Sequence, residues 1–124
     1  MRDLELRNDI IESGLLYEVG VAGGRLSSIQ RQKLGLARAL LKSPDMLVVN
    51  EALSSLDPSS ERRLIENVRK AMTERGILWI LGRVQLAEQF EAVMVMERGK
   101  LLDRGSFEEM QQGNEHFREL LESA

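Results

Sequence analysis

Three short groups of polar residues in this sequence have types and spacings that can handle phosphate and water. Ser27, Ser28 and Gln30 lie in the run Leu26-Ser27-Ser28-Ile29-Gln30, where a glycine-containing loop gives way to a predicted helix. A helix start presents unpaired N–H groups and the positive end of its dipole, which together suit a phosphate. Asn50-Glu51 follows the apolar run Met46 to Val49, which reads as a strand. Acidic or amide groups at the carboxyl end of a parallel strand stand where α/β sheets bind ligands. A carboxylate there can hold a magnesium-bound water or polarise an attacking one. Asp57 precedes Pro58 in the pattern of an N-cap followed by a first-turn proline. Each group also has a plain reading: a serine that only caps, a glutamate solvated in a loop.

The elements that must position these groups follow from periodicity. Arg2 to Ser13 reads as a helix with a ragged apolar face, and Glu18 to Arg25 as a loop. Ser27 caps a helix running to about Lys42, in which Leu34, Ala37, Leu40 and Leu41 recur at helical spacing. Met46 to Val49 is wholly apolar, as in a strand covered on both faces. Leu64, Ile65, Val68, Ala71 and Met72 stripe the next helix, which Gly76 is expected to close. Ile77 to Leu81 is a second buried strand, carrying Trp79 as a packing residue. Gln85 to Phe90 reads as one or two helical turns. Ala92 to Met96 and Lys100 to Arg104 flank Arg98-Gly99 as a hairpin, with Met94 and Met96 expected in the core. Ser106 and Glu109 form a capping box for one closing helix. Strands alternating with helices predict an α/β architecture with a mainly parallel sheet.

Composition removes several classes. The chain has 124 residues, a formal net charge of −3 and no cysteine. The acidic balance argues against a phosphate-tracking surface for nucleic acid. Thiolate metal sites, disulfides and cysteine nucleophiles are excluded, and one histidine, His116, is too few for a multi-histidine metal site. No apolar run reaches the span of a bilayer.

In order and spacing, Gly23 to Asp57 resembles the second half of the ATP-binding cassette (ABC) nucleotide-binding domain. Leu26 to Gln30 stands where that family has its LSGGQ signature, and Arg31-Gln32 with Leu36-Ala37-Arg38-Ala39-Leu40 continues the signature helix. Met46 to Glu51 looks like the Walker B strand, and Ser54-Ser55-Leu56-Asp57 like the D-loop. Val19-Gly20 and Gly23 resemble the approach to the signature in exporter-type cassettes. Val93 to Gly105 is similar to the late hairpin, and Ser106 to Leu121 to the closing helix. The resemblance implies a partial P-loop NTPase fold, with residues 1–43 as the signature-helix region and 44–124 running from Walker B to the last helix. It implies ATP and Mg2+ as cofactors, with Ser27, Ser28 and Gln30 facing a partner's nucleotide. Glu51 takes the place of the catalytic base, and Asp57 couples two sites. The implied partners are the N-terminal half of the same cassette, a second cassette and transmembrane domains, with no nucleic acid. The implied location is the cytoplasmic side of a membrane.

The departures fall at chemical positions. No G-x-x-x-x-G-K-[ST] occurs, so the P-loop half is absent and ATP binding by this chain alone is expected to be very weak. Asn50 replaces the Walker B aspartate and is a weaker metal partner. Gly82 stands where the switch histidine belongs. Ser28 and Ile29 replace the two signature glycines, and Ile29 is expected to add bulk at a close approach. Together these imply a cassette that hydrolyses slowly or not at all. The alternatives are a non-catalytic regulatory or dimerisation cassette, and an ABC ATPase of the chromosome-maintenance or DNA-repair kind, against which the absence of sustained heptads speaks. The family's P-loop strand lies between the strands matched by Ile77–Leu81 and Ala92–Met96. Without it, apolar faces and strand edges would be bare. The isolated chain is therefore expected to be weakly stable or to self-associate in gel filtration; a stable monomer with a cooperative melt would contradict this.

Overall fold

A computed structural model describes residues 27–50 and 55–123, which fall into two compact units meeting in sequence at Ile80 and Leu81. The predicted helix at Arg2 to Ser13, the following loop and Glu51 lie outside the described residues.

The first unit alternates helix and strand: α1 (Ser28–Leu41), β1 (Met46–Asn50), α2 (Pro58–Ala71) and β2 (Gly76–Ile80). β1 and β2 pair in parallel, with Val48 opposite Leu78 and Asn50 opposite Ile80. One face of this pair carries Leu47, Val49, Ile77 and Trp79, which join Leu36 and Ala37 of α1 and Leu64 and Val68 of α2 in one apolar cluster. Trp79 is thus a packing residue, as expected. The expectation of cover on both faces is not met. Leu47 and Val49 are buried, while Met46 is 57% and Val48 59% exposed. The strand alternates because both helices lie on the Leu47/Val49 face, and the described residues bring no second layer to the other.

Gly76 does not close α2. The helix ends at Ala71 with Met72 as C-cap, and the left-handed position falls on Glu74 at φ 66°. Gly76 instead begins β2, its N–H donating to the Asp45 carbonyl at 3.0 Å.

The second unit opens with a 3-10 segment (Val84–Gln89), followed by β3 (Val93–Glu97), β4 (Lys100–Gly105), α3 (Phe107–Gly113) and α4 (Glu115–Glu122). β3 and β4 form the predicted antiparallel hairpin. Arg98 and Gly99 at its turn have φ of 50° and 78°, the pairing of positive values that matches a type I′ turn to the twist of its strands. The placement of Met94 and Met96 in the core is corrected. Val93 and Val95 face inward, and the period of two puts the methionines outward at 50% and 63% exposure. A bulge opposite the Val95/Met96 step shifts the register, so Asp103 pairs with Val95. Asp103 there accepts a hydrogen bond from Asn114 Nδ2 at 3.1 Å.

The single closing helix is in fact two. Ser106 caps α3 by accepting from the Glu109 N–H, one half of the expected capping box. Asn114 ends that helix and caps α4, its Oδ1 accepting from the Phe117 N–H at 2.8 Å. Phe107 and Phe117 pack edge to face at 5.5 Å between ring centroids, and Phe117 is buried with Val93, Val95 and Met110.

Candidate functional site

Ser27 is the N-cap of α1, with extended backbone angles. Its hydroxyl oxygen accepts from the Gln30 N–H at 3.1 Å, and the Ser27 N–H donates to Gln30 Oε1 at 2.9 Å. This reciprocal capping box satisfies two of the donors a helix start leaves over. The first intrahelical bond runs from Arg31 N–H to the Ser27 carbonyl. Among the described residues, the donors this pattern leaves at the tip are the N–H groups of Ser28 and Ile29, the two positions that replace the signature glycines. The bond to Ser27 uses an oxygen lone pair, so its hydroxyl hydrogen remains a donor. An anion at this turn would meet two backbone donors, one hydroxyl and the positive helix end. The residues present therefore fit a phosphate.

Ile29, expected to add bulk at this approach, packs against the cluster beneath α1 and is half-buried.

Asn50 is the exposed last residue of β1. It offers an amide oxygen where a carboxylate would attract a cation more strongly. Among the described residues, no three acidic, histidine or cysteine side chains gather as a metal site. Asp57 is the N-cap of α2: its Oδ2 accepts from the Ser59 hydroxyl at 2.6 Å and from the Ser60 N–H at 3.1 Å. These bonds, with Ser59 foremost, hold the Asp57 carboxyl far below the usual carboxylate range. A depressed value in the folded state means that the charged cap stabilises α2 above the unfolded aspartate range, near about 3.9. That contribution is lost as pH falls below it. Melting temperature followed from pH 7 to pH 2 should therefore drop more steeply for the native protein than for Asp57→Ala. Parallel curves would remove the cap from the account.

Gly82 belongs to the second unit and is exposed. A Cβ added there would meet nothing within 4 Å, and its φ is outside the left-handed region, so neither space nor backbone demands glycine. His116 lies on α4, far along the chain from the switch position. Arg62, Arg63 and Lys70 are on the exposed side of α2, where Lys70 pairs with Glu66 at 3.4 Å. Asn114 went unrecognised in the sequence, although Gly113-Asn114 carries the glycine-then-cap signal of a helix break.

No protein-family model matches the chain. Among curated proteins, it is 40% identical over 100 residues to an ATP-dependent lipid A-core flippase of Xanthomonas campestris pv. campestris. That match covers 81% of this chain and 17% of the flippase. A flippase of the same name from Xylella fastidiosa is 40% identical over 96 residues, 77% of this chain and 16% of that protein. The chain thus spans less than a fifth of the length of these relatives. Among solved structures, a bacterial Atm1-family ABC exporter with ATP bound matches 98% of this chain and 22% of its own, at a TM-score of 0.87 and 24% identity. No helix among the described residues is long and apolar enough to cross a membrane.

Proposed function

Because the chain corresponds in sequence and fold to the C-terminal portion of an ABC exporter's ATP-binding cassette, we propose that it serves as one part of an ATP-driven transport motor with weakened hydrolytic chemistry. The observation that carries this reading is the first turn of α1. Its capping box leaves the Ser28 and Ile29 N–H groups and the Ser27 hydroxyl hydrogen to a phosphate. In the whole transporter, these donors face the nucleotide of a second cassette, and Gln30 holds the turn in shape. Glu51 acts as general base on the attacking water. Asp57, charged at neutral pH through its serine bonds, links the two sites. Mg2+, when bound, neutralises phosphate charge; Asn50 contributes at most an uncharged oxygen to its surroundings. The P-loop half of the cassette, a second cassette and transmembrane domains complete the assembly on the cytoplasmic side of the membrane.

Asn50 and Gly82 favour a second reading, a cassette that binds nucleotide to dimerise or regulate without hydrolysing it. Steady-state ATP hydrolysis by the intact transporter separates the two. Slow turnover that disappears in Glu51→Gln, with nucleotide binding retained, supports the weakened motor. Absence of turnover with nucleotide-dependent closure supports the regulatory module.

A further inference from the structure

We infer that the exposed face of α1 docks on α4 of a second copy of this chain, through opposed stripes of cations and carboxylates. The contact needs no nucleotide.

The two units differ in sign. Among the described residues, the first carries nine basic and five acidic side chains, and the second five basic and nine acidic. One helix in each unit shows the excess most plainly. From Ser28 to Lys42 there is no acidic residue, and Arg31, Arg38 and Lys42 recur on the exposed side of α1. Leu34 and Leu41 stand beside them, 37% and 82% exposed. On α4, Glu115, Glu119 and Glu122 are exposed along one side. Arg118, the cation on that side, turns back to donate from Nη1 to the Gln112 carbonyl at 2.6 Å. Among the described residues, none of these three cations and three carboxylates has a side-chain partner.

A solvated helix face ordinarily mixes signs, as α2 does where Lys70 meets Glu66. α1 and α4 instead set like charges four residues apart, Arg38 with Lys42 and Glu115 with Glu119, and such pairs repel. Arg31 also stands near the positive end of the α1 dipole, and Glu122 at the negative end of α4. A helix of opposite sign relieves all of these at once. Arg31 and Arg38 are seven residues apart, as are Glu115 and Glu122, a separation of about 10 Å along either helix. An antiparallel approach therefore sets Arg31 against Glu122 and Arg38 against Glu115, with the two dipoles opposed. Leu34 lies between the two pairs, where contact removes its apolar surface from water.

The full chain is followed by sedimentation velocity, with circular dichroism to show that each variant is folded. Raising NaCl from about 50 mM to about 500 mM should weaken association about tenfold, because salt screens exposed ion pairs. Arg31→Glu and Glu122→Lys should each weaken it by about tenfold at low salt, by setting like charges together. Both substitutions suit the dipole of their own helix, so neither acts by melting it. Mixed in equal amounts, the two variants should associate as tightly as the native chain, since each then meets the opposite charge on the other. A native chain that stays monomeric at low salt would overturn the inference. So would association unmoved by salt and by both reversals, which would place the contact on the bare apolar faces. A mixture as weak as either variant alone would also overturn it, by removing α4 of a second copy as the partner of α1.

Discussion

Replacing Glu51 by Gln in the intact transporter should lower its ATP hydrolysis by about two to three orders of magnitude. A general base contributes by accepting the proton of the attacking water as the bond to phosphorus forms, typically about 10²- to 10⁴-fold. Glutamine preserves size and hydrogen bonding but cannot take that proton. Nucleotide affinity should stay within about threefold, because in the proposed role the carboxylate acts on water rather than holding the phosphates. Phosphate release under saturating ATP, paired with equilibrium binding of the same preparation, checks both halves. Unchanged hydrolysis in Glu51→Gln would mean that the base lies elsewhere.

Restoring the two absent groups should act in the opposite direction. Asn50→Asp returns a charge to the end of β1, and Gly82→His returns an imidazole past β2. The double variant is expected to hydrolyse ATP faster than the native transporter by about 10²-fold, most of it requiring both changes. The structure offers no obstacle to either. Asn50 is exposed and near-isosteric with aspartate, and its strand pairing to Ile80 is made by the backbone. Gly82 has open space beyond its Cα and no left-handed φ. Turnover unmoved in the double variant would place the weakness in other groups.

How far the sequence could be read depended on whether a signal was local. The caps were legible because they are: Ser27 with Gln30, Asp57 before Pro58, and Ser106 with Glu109 each place acceptor and donor within one turn. The hairpin turn was legible for the same reason, Arg98-Gly99 lying between two apolar runs. Burial was harder. Met46, Val48, Met94 and Met96 are apolar, which predicts covered positions, yet they face outward. Cover depends on layers that a single strand's composition cannot report. Gly76 misled because glycine is the usual helix stop, whereas here Glu74 takes the left-handed angle. In the candidate site, residue types gave the positions but not the directions. Ile29 reads as an obstruction by size alone, and only the structure shows that it packs against the cluster containing Leu36.

Equilibrium binding of Mg-ATP to this 124-residue chain, alone and mixed with a polypeptide carrying the P-loop half of the cassette, is the most direct measurement. With the partner half, saturable binding should appear in the range usual for such enzymes, below about 1 mM. The chain alone, shown to be folded by circular dichroism, should give no saturation below about 1 mM. Micromolar binding of ATP by the chain alone would contradict the claim that tight binding needs a P-loop supplied from outside these residues.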